Sequence, residues 1–125
     1  MAIKIHLLRE RATEQQLNEM LEALHTYVKL AVDIERKIVA GGGGMHFDGE
    51  KMLLDNGSLQ EQVWGADWIP QSQSVRFDAL INIRPRQNNR SMIIQDPEIQ
   101  RRVEQVIRAF FEGVPWSVPT SKKDS

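Results

Sequence analysis

The chain has no cysteine among its 125 residues. That absence excludes a disulfide framework, a thiol nucleophile and a cysteine-ligated zinc site, and it fits a reducing compartment. Charge of one sign is also missing: 16 Lys and Arg stand against 17 Asp and Glu, a formal net charge of -1. No global positive field draws in nucleic acid, so a nucleic-acid partner is not expected. No apolar run is long enough to cross a bilayer. The opening MAIKIHLLRERAT returns to charge at Arg9 too soon for a signal peptide. The expectation is a soluble cytoplasmic protein with no membrane association.

What is present suits a folded domain, with 41% hydrophobic and 26% charged residues and enough length to bury a core. The reading is a single domain over 1–113, with 114–125 as a flexible tail because VPWSVPTSKKDS holds prolines and a polar end.

IKIHLL alternates apolar and polar residues and predicts a short strand. Thr13 and Gln16 have the spacing of a capping box, and Leu17, Met20, Leu21 and Leu24 then recur as one helical stripe. YVKLAVDIERKIVA is β-branched and alternating, GGGG at 41–44 suggests a flexible turn, and MHFDGEKML alternates again as its hairpin partner. In that pairing Ile38 faces Phe47, and Lys37 faces Asp48. DNGS at 55–58 carries the Asn-Gly hairpin signal. SVRFDALINIR reads as the clearest strand, with Val75, Phe77, Ala79, Ile81 and Ile83 on its apolar side. A last helix is framed by Asp96 as cap, Pro97 at its first position and Gly113 after its end.

These signals predict an α+β fold. An antiparallel sheet of about five to six strands has an N-terminal-half helix and a C-terminal helix packed on one face. The reverse face gathers Asp33, Glu35, Lys37, His46, Asp48, Glu50, Arg76, Asp78, Asn82 and Arg84, and is expected to lie open to water.

The phrases VDIERKIVAGGGGMHFDGEKMLLDNGS, QVWGADW and INIRPRQNNRSMIIQDPEIQRRVEQVIR resemble a family of small bacterial proteins catalogued as a domain of unknown function. The likeness runs from about Leu17 to Phe111 and implies a shared fold without an activity. The resemblance implies that relatives often carry a cysteine before the acidic residue matching Glu50. This chain has Gly49 there, so thiol chemistry is not expected of it.

Three groups of residues are candidates for function. Arg84, Arg86 and Arg90, with the amides of Asn88 and Asn89, could present planar donors to a small anionic ligand or a protein partner. The plainer reading is a solvated turn tied to acidic strands. His46, Asp48 and Glu50 share one face if their segment is a strand, and would suit a divalent metal in a hydrolase-like enzyme. The plainer reading there is a Lys37 and Asp48 pair beside a surface histidine. Glu35 and Glu50, if opposed, could divide acid and base roles. No cofactor is expected beyond that divalent ion. Trp64 and Trp68 share a side of an extended segment, a position more often given to core, whereas an exposed tryptophan patch would favour a homodimer. The leading expectation is a binding or interaction module, with the metal-assisted enzyme as its alternative.

Overall fold

The computed structural model describes residues 4–117. β1 (His6–Leu8) leads into α1 (Glu14–Met20). The Thr13 hydroxyl accepts from the Gln16 N–H at 3.1 Å, and the Gln16 side chain accepts from the Thr13 N–H at 2.9 Å. This reciprocal cap satisfies two donors that the helix start would otherwise orphan. β2 (Val28–Asp33) and β3 (Ile38–Gly41) form a hairpin. Asp33 shapes its turn by accepting from the Glu35 and Arg36 N–H groups, both at 2.9 Å, while Lys37 takes a φ of 58°. α2 (His46–Asp55), β4 (Val63–Ile69), β5 (Ser74–Arg76) and α3 (Pro97–Phe111) follow. The fold is α+β, with a five-stranded antiparallel sheet in the order β1-β3-β2-β4-β5. Among the described residues no helix is long and apolar enough to cross a membrane.

Strand alternation sends Val28, Leu30 and Val32 of β2, with Trp64, Ala66 and Trp68 of β4, to one side of the sheet. There they join Leu17 and Met20 of α1 and Val103, Ile107 and Phe111 of α3 in the main core. Trp68 stacks on Phe111 with ring centroids 6.3 Å apart. The start of α3 is capped as its sequence predicts, the Asp96 carboxylate accepting from the Glu98 N–H at 2.8 Å. Trp64 and Trp68 are buried in this core, the plainer of the two readings of their sequence, and Trp116 packs half-buried against the same cluster. Val114 is buried as well, and the Ser117 N–H donates to Asn18 Oδ1 at 2.8 Å. The start of the expected flexible tail therefore lies against the core, while 118–125 fall outside the described residues.

The reverse face of the sheet is not open to water. α2 lies across it, and Leu53 packs with Ala31, Ile38, Ala40 and Val63. The segment expected to be a strand is a helix whose sheet side carries His46, Gly49, Glu50 and Leu53, a spacing of three, one and three. Only Leu53 in that set is a large apolar residue, so the helical stripe is masked, while Met45 and Phe47 mimic strand alternation from the solvent side. Gly49 brings α2 close, since a Cβ there would sit 2.6 Å from the Ala40 carbonyl oxygen. Asn56 and Gly57 terminate this helix rather than turning a hairpin. Their N–H groups donate to the Leu53 and Leu54 carbonyls at 3.0 and 3.2 Å.

The stretch read as the clearest strand is strand only as far as Arg76. Asp78 still bridges to Ile93, after which the chain makes short 3-10 turns at Leu80–Asn82 and Pro85–Gln87. The expected alternation reverses there: Asn82 is 0% and Arg84 9% exposed, whereas Ile83 is 44% exposed. β5 stops before it can pair the outer edge of β4 at Val63 and Gly65. Polar side chains turn inward to occupy those backbone groups instead.

Candidate functional site

Arg84 is the centre of the arginine cluster, and its donors are all engaged inside the protein. Nε donates to the Ile81 carbonyl at 2.9 Å, and Nη1 to the Gln60 carbonyl at 2.6 Å and Gln87 Oε1 at 3.5 Å. Nη2 donates to the Val63 carbonyl and to Glu50 Oε2, the latter at 3.4 Å. A guanidinium has five N–H groups, so none is left for an outside anion. Burial pushes the Arg84 guanidinium below the usual arginine value, and the Glu50 carboxylate pulls it back in part. Asn89 is likewise turned inward. Its amide donates to the Asn82, Ser91 and Ile93 carbonyls at 2.7, 2.9 and 3.1 Å, and its oxygen accepts from the Gln95 N–H at 2.7 Å. Arg86, Asn88 and Arg90 stay at the surface. Asn88 holds the turn with a φ of 61°. The five residues do not converge on one anion.

The acidic candidates separate too. Glu35 sits exposed on the β2–β3 turn beside Arg102 at 3.3 Å, while Glu50 is buried under α2 against Arg84, so the two carboxylates are not opposed. On a helix, Asp48 points away from the side shared by His46 and Glu50. It lines a shallow depression with Ile5, Lys51, Met52 and Asp55. Among the described residues no group of three or more His, Asp or Glu side chains is placed to hold a metal ion.

What the fold does assemble is a cleft between the start of α2 and the 78–92 segment. It encloses about 520 Å³ and is walled by Met45, Phe47, Leu80, Ile81 and Met92. On its floor, Lys29 of β2 lies directly across from Asp67 of β4, so both side chains rise on the α2 side of the sheet. His46, the first residue of α2, brings Nε2 to 2.7 Å from Asp67 Oδ1. Arg76 of β5 donates from Nε to Asp67 Oδ2 at 2.9 Å. Asp67 is thus gripped at both oxygens, and its charge is matched by Arg76. Lys29 has no ion-pair partner among the described residues, and Asp78 stands exposed at the rim.

Residues 6–110 match the family described as Protein of unknown function (DUF5674). The chain belongs to that family. No curated protein and no solved structure matches it. For this DUF5674 chain the site must therefore be argued from its own side chains. Of the residues its sequence offered as candidates for function, only His46 lines the cleft, with Asp78 of the expected polar face at its rim. Lys29 reads only as one polar residue of its strand, and Asp67, Leu80 and Met92 carry no site signal at all. The register of β2 on β4 is what joins Lys29 to Asp67, and no local spacing reports it.

Proposed function

We propose that this protein is a binding module whose ligand occupies the cleft between α2 and the 78–92 segment. The ligand is a small amphipathic acid, its apolar body against Met45, Phe47, Leu80 and Met92 and its carboxylate over the Lys29 ammonium. One observation carries the reading. Four large apolar side chains, 57%, 54%, 68% and 43% exposed in that order, surround a single cavity on whose floor the Lys29 ammonium makes no salt bridge among the described residues. Covering such surface is favourable by roughly 25 cal/mol per Å², while the ammonium selects an anionic end. Recognition of the anion moves from the arginine loop to Lys29, because the donors of Arg84 are already engaged.

Titrating octanoate into the protein by calorimetry tests this. Saturable binding that weakens in both Lys29→Met and Leu80→Ser supports the cleft. Binding untouched by either change, or lost only when Arg86 and Arg90 are replaced, removes it.

A further inference from the structure

Resting on that reading of the cleft, we infer that the same site hydrolyses esters of the acid it binds, with His46 acting as general base toward water. His46 is held more firmly than a surface histidine. Its side chain is 11% exposed, Nε2 is fixed on Asp67, and Asp67 is clamped from its other oxygen by Arg76. No group among the described residues bonds to Nδ1. With its Nε2–H given to the carboxylate, a neutral imidazole keeps its lone pair on Nδ1, and a carboxylate so placed stabilises the imidazolium that forms on proton uptake. Among the described residues no Ser, Thr or Tyr hydroxyl lines the cleft, and the chain has no cysteine, so water is the nucleophile.

In the first step Nδ1 takes a proton from water as the water oxygen bonds to the ester carbonyl carbon. The carbonyl oxygen becomes an oxyanion facing the Lys29 ammonium, a fixed positive charge where negative charge develops. The carbonyl then re-forms, the bond to the alcohol oxygen breaks, and the leaving alkoxide takes the proton from His46. Ester and water become acid and alcohol, no electrons change hands, and the imidazole returns to its starting form. The product carboxylate is the ligand proposed above, left over Lys29. Asp67 is a positioning residue in this scheme, and Arg76 holds it.

The test uses the full chain with p-nitrophenyl octanoate as substrate and octanoate as binding probe. The expected result is saturable hydrolysis inhibited by octanoate. His46→Gln should lower kcat by about 10²–10⁴-fold, the usual share of a general base, with octanoate affinity retained. Asp67→Asn should lower kcat more than it changes KM and should displace the acid limb of the pH profile. His25→Asn is a control in an exposed histidine at a φ of 70°, a conformation that Asn tolerates, and should leave the rate unchanged. Octanoate binding without hydrolysis, or with hydrolysis equal in His46→Gln, overturns catalysis and leaves the binding reading intact. Failure to bind octanoate removes both. Should His46→Gln not fold, wild-type hydrolysis that persists under saturating octanoate lies outside the cleft and equally overturns the inference.

Discussion

Asn82 holds both backbone groups of Gly65, accepting from its N–H at 2.8 Å and donating to its carbonyl at 2.9 Å. One side chain does there what a neighbouring strand does elsewhere in the sheet. The same amide nitrogen reaches the Phe77 and Met92 carbonyls at 3.2 and 3.1 Å, tying the walls of the cleft to its floor. Asn82→Ala should destabilise the protein by about 2–4 kcal/mol, because buried backbone groups lose their partner. Asn82→Asp should also destabilise, since a carboxylate cannot donate to Gly65. Urea midpoints at unchanged slope measure both.

Gly65 has a second reason to lack a side chain. A Cβ there would lie 2.5 Å from Ala79 Cβ and 2.9 Å from Ile81 Cγ1. Gly65→Ala should therefore push the 79–81 turn off β4, costing about 1–3 kcal/mol by overpacking. Gly44→Ala, where a Cβ meets nothing within 4 Å, should stay within about 0.5 kcal/mol. Thermal melts of the two variants separate a packed glycine from a spacious one.

Arg84 is predicted to be a strut. Removing it in Arg84→Ala leaves the Glu50 carboxylate and the Gln60 and Val63 carbonyls without their donor, an expected loss of about 3–5 kcal/mol. Arg84→Lys should recover only part of this, because a point ammonium cannot reproduce a planar fork serving five acceptors. The double change Arg84→Met with Glu50→Leu should be milder than Arg84→Ala. Chemical denaturation checks all three, and a surface anion site would leave every midpoint where it was.

The legible parts of this fold are those where local chemistry and tertiary role agree. Thr13 with Gln16, and Asp96 with Pro97, are complete within a few residues, so the starts of α1 and α3 could be read directly. The alternation of Val28, Leu30 and Val32 was equally plain, because that side of β2 is purely apolar, but the strand read as continuous to Ala40 turns back at 34–37, which sends Ile38 and Ala40 to the opposite face. α2 was not legible, since its sheet side is built from a histidine, a glycine and a glutamate whose partners lie on β4 and on the 80s segment. The error at 75–84 has the same origin. Asn82 and Arg84 look like solvent residues until the unpaired edge of β4 is known. The candidate site inherited both failures, and His46 was found for a role in which Asp67 was missing.

Acid should act measurably at the start of α3. The Arg101 guanidinium hydrogen-bonds to Glu98 at 3.0 and 2.6 Å and holds that carboxyl below its usual value. An acid lowered in this way contributes its stabilisation above the unfolded pKa and loses it as pH falls through the folded one. The pair is fully open to solvent, so the effect is local and small. Amide exchange in the first turn of α3 should rise, relative to later turns, between neutral pH and strong acid. In Glu98→Gln that contrast should shrink.

Two leucines separate the cleft from the core. Leu80 is 68% exposed on the cleft wall, whereas Leu53 is fully buried beneath α2. Leu53→Ser should cost several kcal/mol, since it opens a cavity and buries a hydroxyl. Leu80→Ser removes apolar surface that faces water already, and should change stability by less than about 0.5 kcal/mol. Its effect belongs to the ligand instead. Losing one apolar wall should weaken octanoate by about 1 kcal/mol, roughly fivefold in Kd. Calorimetry beside a urea melt on the same samples checks both halves. A Leu80→Ser protein that binds octanoate undiminished places the ligand away from this wall, and one that unfolds early makes Leu80 a core residue despite its exposure.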